Sequence, residues 1–283
     1  MIRLAAAIAF LAVPALVQAQ APDTLKKIRD SKILTIAYRT DAVPYSFHDD
    51  KNQPTGYTVD LCRRIAASIE QQLKLQGMKV NWMPATSANR MELVAKGQAN
   101  MECGATTATL SRMEQVDFSS FVFVDGTGVL VRTDSNVKTF ADMGGKRIAA
   151  IAGTTNEKAL NEAMKKRLVN ANVVTVKNRE EGLAALEGGK VDGFASDKLL
   201  ILGLAGKVKD PKQYAMLPDD LSFEPIAIVL PRNDSGFRLA VNRALAQIYR
   251  SPGIVEVFGK WFGPLGNPSG LLEAMYFLGA VPD

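Results

Sequence analysis

Apolar positions along this chain fall into a pattern of strands and helices that occurs twice, in the same order. Lys32-Ile-Leu-Thr-Ile-Ala37 and Arg147-Ile-Ala-Ala-Ile-Ala152 are short, dense apolar runs that read as strands. Each leads into a predicted helix, Val59 to Leu73 in the first half and Asn156 to Leu168 in the second. A second strand follows, Lys79-Val-Asn-Trp-Met83 or Asn172-Val-Val-Thr-Val176. Then come Arg90 to Lys96 and Glu180 to Glu187, where apolar residues recur every three or four positions, the spacing of one helix face. Both of these helices run into a glycine, which suits the left-handed position just past a helix end. After it the two texts converge: Val94-x-x-Gly97-x-Ala99-Asn100 matches Leu186-x-x-Gly189-x-Val191-Asp192. The pattern is a diverged duplication of a β-α-β-α-β unit.

Strands alternating with helices build a mostly parallel sheet flanked by helices, so the fold class is α/β. Two such units predict two lobes with a cleft between them, and open α/β sheets bind ligands beyond the carboxyl ends of their strands. The lobes are not cut cleanly. Val122 to Arg132 is β-rich and runs into the second unit, while Ile226-Ala-Ile-Val-Leu230 and the helical patterns Phe237 to Arg250 and Val255 to Phe262 follow it. The simplest layout inserts one lobe, 132–231, into another made of 20–131 and 232–283. Two strand-like crossings near Val131 to Asp134 and Leu230 to Asn233 would then form a hinge.

The first residues change the expected compartment. Met1-Ile-Arg3 is a short basic start, Leu4 to Val17 is apolar, and Val17-Gln-Ala19 fits the small-x-small rule for signal peptidase, so residues 1–19 read as a signal peptide. The apolar run is shorter than the ~20 residues of a membrane span. The expected location is the periplasm. Two cysteines, Cys62 and Cys103, would then meet an oxidising compartment, where a disulfide or two separate buried thiols are the alternatives. The net charge of +5 is spread along the chain rather than clustered with aromatics, so nucleic-acid binding is not indicated.

Candidate chemistry collects where the strands end. Thr86-Ser-Ala-Asn-Arg90 precedes a helix, and Glu102-Cys-Gly-Ala-Thr-Thr107 follows an apolar run, with Arg112 five residues on. Phe194-Ala-Ser-Asp197 closes the matching run of the second half. Guanidiniums pair with carboxylates, hydroxyls support them, and a carboxylate such as Asp197 pairs with an ammonium. These are the groups a small zwitterion needs. Asp197 would also fit as the cap of a helix starting at Lys198, and Thr154 and Thr155 as caps of the Asn156 helix.

These residues resemble the periplasmic solute-binding proteins of polar amino-acid ABC importers, above all the glutamate/aspartate-binding members. The resemblance rests on Gly56-Tyr-Thr-Val-Asp-Leu61, Arg64-Ile-Ala-Ala-Ser-Ile69, Thr86-Ser-Ala-Asn-Arg90, Glu102-Cys-Gly-Ala-Thr-Thr107, Ala152-Gly-Thr-Thr155 and Lys260-Trp-Phe262. It implies a two-lobed fold that captures an acidic amino acid and delivers it to an inner-membrane ABC permease, as a monomer. By resemblance, Arg39 and Arg90, with Ser87, hold the ligand's side-chain carboxylate. Arg112, Thr107 and the backbone near Thr154 hold the α-carboxylate, Thr106 lies alongside, and Asp197 takes the ammonium. Two departures stand out: Ala105 replaces a Ser, and Arg179 replaces a His where it would strengthen the hold on the distal carboxylate or point to solvent. Extra guanidiniums in a closed cleft lack a partner unless the ligand brings a second carboxylate, which favours an acidic ligand.

Catalytic and cofactor motifs are missing from the sequence. The single histidine, His48, lies beside Asp49 and Asp50 in an expected turn, and no Gly-x-Ser-x-Gly, Gly-x-Gly-x-x-Gly or phosphate-binding loop is present. No metal cluster and no cofactor is expected. Two other readings share the same site: a dehydratase of prephenate or arogenate on this fold, and a sensor that presents its ligand to a membrane receptor.

Overall fold

A computed structural model describes residues 23–204 and 208–282. The signal-peptide expectation falls on residues outside this range. The duplication is visible as two five-stranded sheets. In the first, Ile33–Arg39 lies between Lys79–Ala85 and Met101–Cys103, all parallel, and Glu224–Leu230 and Asp117–Asp125 extend it antiparallel. In the second, Arg147–Ile151 lies between Asn172–Val176 and Gly193–Asp197, again parallel, with Thr127–Arg132 and Tyr214–Met216 added antiparallel. The three strands of each repeat are thus parallel, as the alternation requires; the strand beside them, Glu224–Leu230 or Thr127–Arg132, runs the other way, and the outermost, Asp117–Asp125 or Tyr214–Met216, reverses again.

Hydrogen bonds show that the repeat is physical. Asn100 Oδ1 accepts from the Thr35 amide at 2.7 Å, and Asp192 Oδ2 accepts from the Arg147 amide at 2.8 Å. The Asn100 and Asp192 amides donate to the carbonyls of the same two residues, each at 2.8 Å. One polar side chain in each half therefore sets the register of the third strand against the first. The preceding glycines, Gly97 and Gly189, have φ of 69° and 65° after the Arg90–Ala95 and Arg179–Glu187 helices, the left-handed geometry expected for them.

Apolar burial follows the same division. Ile65, Ile69, Phe237, Val241 and Phe262 pack the helices Tyr57–Gln72, Ser235–Tyr249 and Gly253–Phe262 onto one face of the first sheet. Phe262 is fully enclosed in this cluster, and Trp261 packs against it partly buried. Cys62, in the first turns of Tyr57–Gln72, is bonded to Cys103 at the end of its strand. Phe140, Leu160 and Phe194 fill the core around the second sheet.

The chain changes sheets earlier than the apolar pattern suggested. Val129 to Arg132 already pairs in the second sheet, and Ile226 to Leu230 pairs in the first, whereas the crossings were expected at 131–134 and 230–233. The physical reason is that Val122 to Arg132 is not one strand. Gly126 breaks it, and a Cβ there would lie 2.9 Å from the Ser222 carbonyl oxygen of the returning segment. The two crossing segments are tied at this point by Ser222 Oγ donating to Thr127 Oγ1 at 2.8 Å and by the Leu221 amide donating to the Thr127 carbonyl at 3.0 Å.

Candidate functional site

Every predicted site residue except Ser87 and Thr154 is buried where the two sheets face each other. The first lobe contributes a layered set. Arg39 ends Ile33–Arg39, and Glu102 lies in the parallel strand beside it, opposite Ala37, so the pairing puts the two side chains on one face. Arg90 Nε donates to Thr106 Oγ1 at 2.7 Å, and Thr106 Oγ1 donates to Glu102 Oε2 at 2.9 Å. The Ser87 carbonyl takes a further Arg90 donor, so Ser87 serves through its backbone. Its side chain borders an outer groove of about 840 Å³, lined also by Thr40, Asp41, Lys177 and Asn178. Burial pushes the Arg90 guanidinium down to about 9, with the positive charge of Arg39 adding to it, yet it stays charged at neutral pH. Burial also raises the Glu102 carboxyl, against the pull of Arg90.

Next to this layer, the short helix Leu110–Met113 is capped by Thr109 and turns Arg112 inward, where Nη1 donates to the Thr107 carbonyl at 2.8 Å. Burial lowers the Arg112 guanidinium, opposed chiefly by Glu224 and Asp197. Thr107 Oγ1 meets Thr155 Oγ1 of the second lobe at 3.3 Å. Thr154, whose backbone was expected near the α-carboxylate, uses its hydroxyl to cap the Thr155–Lys166 helix and to reach the Ile151 carbonyl at 2.7 Å. Thr154 sits one residue before the helix, where its hydroxyl gives the Glu157 amide an acceptor and leaves the backbone there unaffected.

Asp197 ends its strand wholly enclosed. It does not act as the cap it resembled in sequence: the amides of Lys198 and Leu199 go to the Gly126 carbonyl at 2.9 Å and to Asp125 Oδ2 at 3.3 Å. Its carboxylate is left facing Arg179 Nη2 at 3.8 Å and the Asn156 amide, whose nitrogen, turned toward it, donates at 3.3 Å. Burial raises the Asp197 carboxyl even though Arg179 opposes the shift. A 3.8 Å contact is loose, so an ammonium could take this oxygen without displacing a tight pair.

The structure corrects one step of the sequence argument. Arg39 has a partner within the chain, because Asp41 accepts from its Nη2 with both carboxylate oxygens, at 2.5 and 2.8 Å. Asp41 Oδ2 also accepts from Arg179 Nη1 at 3.2 Å across the cleft. Burial works against the Asp41 charge, but Arg39 and then Arg179 outweigh it and hold the carboxyl below its ordinary range. Arg179 is therefore buried rather than at the surface, and one of its donors is already shared with Asp41. Sequence reading missed four acids of this region: Asp41, Glu102, Asp125 and Glu224. Asp41 was legible in part, since alternation along an extended chain puts residues 39 and 41 on one side.

Some polar atoms are buried here without a protein partner, among them Glu102 Oε1, Glu224 Oε2, Arg39 Nε and Arg179 Nε. Buried polar atoms that the chain itself does not satisfy are unusual outside functional sites. His48, by contrast, is exposed as expected, but it ends the short strand Ser46–His48 rather than lying in a turn. Among the described residues no group of His, Cys, Asp and Glu is placed to hold a metal, and no helix is long and apolar enough to cross a membrane.

Comparison with known proteins identifies the family and the fold. The chain is 32% identical over 249 residues to the L-glutamate/L-aspartate-binding protein of Pseudomonas aeruginosa, spanning 88% of this chain and 82% of that one. It is 30% identical over 242 residues to the glutamate/aspartate import solute-binding protein of Escherichia coli strain K12, spanning 86% and 80%. These relatives are named as binding proteins rather than enzymes. An ABC uptake transporter substrate binding protein from Streptococcus pneumoniae, solved with histidine bound, superposes with a TM-score of 0.77 at 22% identity, over 85% of this chain and 96% of that one, and so shares the fold. Residues 34–264 match a single family along nearly the whole two-lobed body, and the chain belongs to the bacterial extracellular solute-binding proteins, family 3.

Proposed function

We propose that this protein captures an acidic amino acid, aspartate or glutamate, in the cleft between its lobes and hands it to an ABC importer in the membrane. The observation that carries the reading is the division of charge across the cleft. Arg112 and Thr107 of the first lobe stand opposite Asp197 of the second, with Arg90 buried beside Thr106. The α-carboxylate belongs on Arg112 and Thr107, the ammonium on Asp197, and the side-chain carboxylate on Arg90. Names of the relatives point the same way. The protein acts as a periplasmic monomer, released by removal of residues 1–19, and its lobes move about the crossings at Gly126 and Ser222.

A calorimetric screen of all amino acids against the protein tests this. Aspartate or glutamate is expected to bind, and the matching amide at least a hundredfold more weakly, on the scale of ~3 kcal/mol for a lost charge-assisted pair. Arg112→Ala and Asp197→Ala should each weaken binding at least a hundredfold, because each leaves a desolvated charge without its partner. Preference for a neutral or basic amino acid would end the acidic reading. Incubation with prephenate or arogenate, followed by a search for product, separates a dehydratase from a binder.

A further inference from the structure

The family resemblance gives the ligand's side-chain carboxylate a cluster of guanidiniums, Arg39 and Arg90, with Arg179 beside them. Two of these three already hold an anion that the chain supplies. Both oxygens of Asp41 lie on Arg39 Nη2, at 2.5 and 2.8 Å, and one of them also lies 3.2 Å from Arg179 Nη1 of the opposite lobe. Asp41 is only 19% exposed and Arg39 and Arg179 are 2% and 5% exposed, so this three-membered group is screened little by solvent.

We propose that Asp41 is a specificity-determining residue: it stands in for a ligand carboxylate at the far end of the cleft and so restricts the ligand's side chain to the length of aspartate. The inference rests on the acidic-ligand reading above. Three observations support it. Arg90 is the guanidinium of the cluster that Asp41 does not touch, and its Nε is tied to Thr106 at 2.7 Å. Thr106 adjoins Thr107, whose carbonyl holds Arg112, so the two carboxylate seats hang on consecutive residues, about 3.8 Å apart along the backbone. At the other side, one guanidinium, that of Arg179, reaches from Asp41 at 3.2 Å to Asp197 at 3.8 Å. The distance from the ammonium seat to the built-in carboxylate is therefore spanned by a single Arg head group. A longer side chain would bring its own carboxylate against that of Asp41, and like charges in a buried site repel.

Calorimetry with L-aspartate, L-glutamate and L-2-aminoadipate, which differ by one methylene each, tests the inference on the parent protein, Asp41→Ser and Asp41→Asn. The parent should bind aspartate at least tenfold more tightly than glutamate, with 2-aminoadipate weaker again. Asp41→Ser frees Arg39 and Arg179 and should move the glutamate-to-aspartate affinity ratio at least tenfold toward glutamate. Asp41→Asn keeps the shape of the side chain and removes its charge, so it carries the same test if the serine variant does not fold. A merely structural role would weaken all three acids together, and an unchanged ratio in folded variants overturns the proposal while the acidic reading stands. So does a parent protein that binds glutamate as well as aspartate. If the parent binds none of the three acids, the acidic reading itself has failed and this inference falls with it.

Discussion

Asp125 shows how much one carboxyl can depend on its place. It ends a strand of the first sheet at the crossing to the second, accepts from Tyr45 Oη at 2.9 Å and from the Gly126 amide at 2.8 Å, and faces Asp197. Burial, followed by the charge of Asp197, pushes it up to about 7. The folded protein thus keeps a proton that the unfolded chain, with an ordinary carboxyl, releases near pH 4. Between those values the native state binds more protons than the unfolded state, so stability should fall as pH rises from 4 to 7, by up to about 1.4 kcal/mol per pH unit from this group. Asp125→Asn cannot ionise and should remove that slope. Urea unfolding of parent and variant at pH 5 and pH 8 checks it: the parent should lose stability relative to the variant at the higher pH. Equal changes in both proteins would mean that Asp125 is ionised throughout. Nothing in the sequence around Val122-Phe-Val-Asp125 marks this residue, because its environment comes from Tyr45, Asp197 and Leu199, all distant in the chain.

Elements were far more legible than site electrostatics, and for a physical reason. Helix and strand patterns are local, so Asn172–Val176 was read to the residue, and the Thr155–Lys166 and Arg179–Glu187 helices to within one or two. Missed were Thr24–Ser31 and the C-terminal helix Gly270–Gly279, whose exposed Leu271, Phe277 and Leu278 blur the contrast between faces. The guanidiniums were legible as a group because the strand ends where they sit are punctuated by Thr, Ser and Gly. Their partners were legible only in part: alternation places Asp41 beside Arg39, but an arginine 138 positions on meets it only after folding. The disulfide belongs to this scale as well. It joins Cys62 of a helix to Cys103 of the strand end that carries Glu102, closing a loop with a sequence separation of 41. Chain-entropy reasoning gives such a loop about 4 kcal/mol. Cys62→Ala with Cys103→Ala should lower the unfolding free energy by roughly 2–4 kcal/mol in denaturant titrations. Thiol titration of the denatured, unreduced parent should find no free thiol, and two free thiols would contradict the bond.

Taken whole, the molecule brings its two lobes into direct contact at several points. Asp41 pairs with Arg179 at 3.2 Å, Thr107 meets Thr155 at 3.3 Å, and Gly203 of the Lys198–Leu204 helix lies against the Val43 carbonyl. A Cβ at position 203 would collide with that carbonyl oxygen, which is backbone and cannot rotate away. Within its own helix the same methyl is welcome, since alanine is favoured over glycine by about 1 kcal/mol. Gly203→Ala therefore separates two quantities that usually move together. The ligand-free protein, in which the lobes are free to part, should be as stable as the parent or slightly more so. Closure should become harder, and because apparent affinity scales with the population of the closed form, binding should weaken at least tenfold, equivalent to about 1.4 kcal/mol. The variant does not touch the guanidiniums, so the order of preference among amino acids should be unchanged. Thermal unfolding without ligand and calorimetry with the preferred amino acid give the two readouts. Small-angle scattering gives a third: the ligand-induced decrease in radius of gyration expected of the parent should be smaller in the variant at equal ligand concentration. Unchanged affinity together with unchanged stability would show that the lobes close without bringing Gly203 onto Val43, and that the seal between them lies with the Asp41 and Thr107 contacts alone.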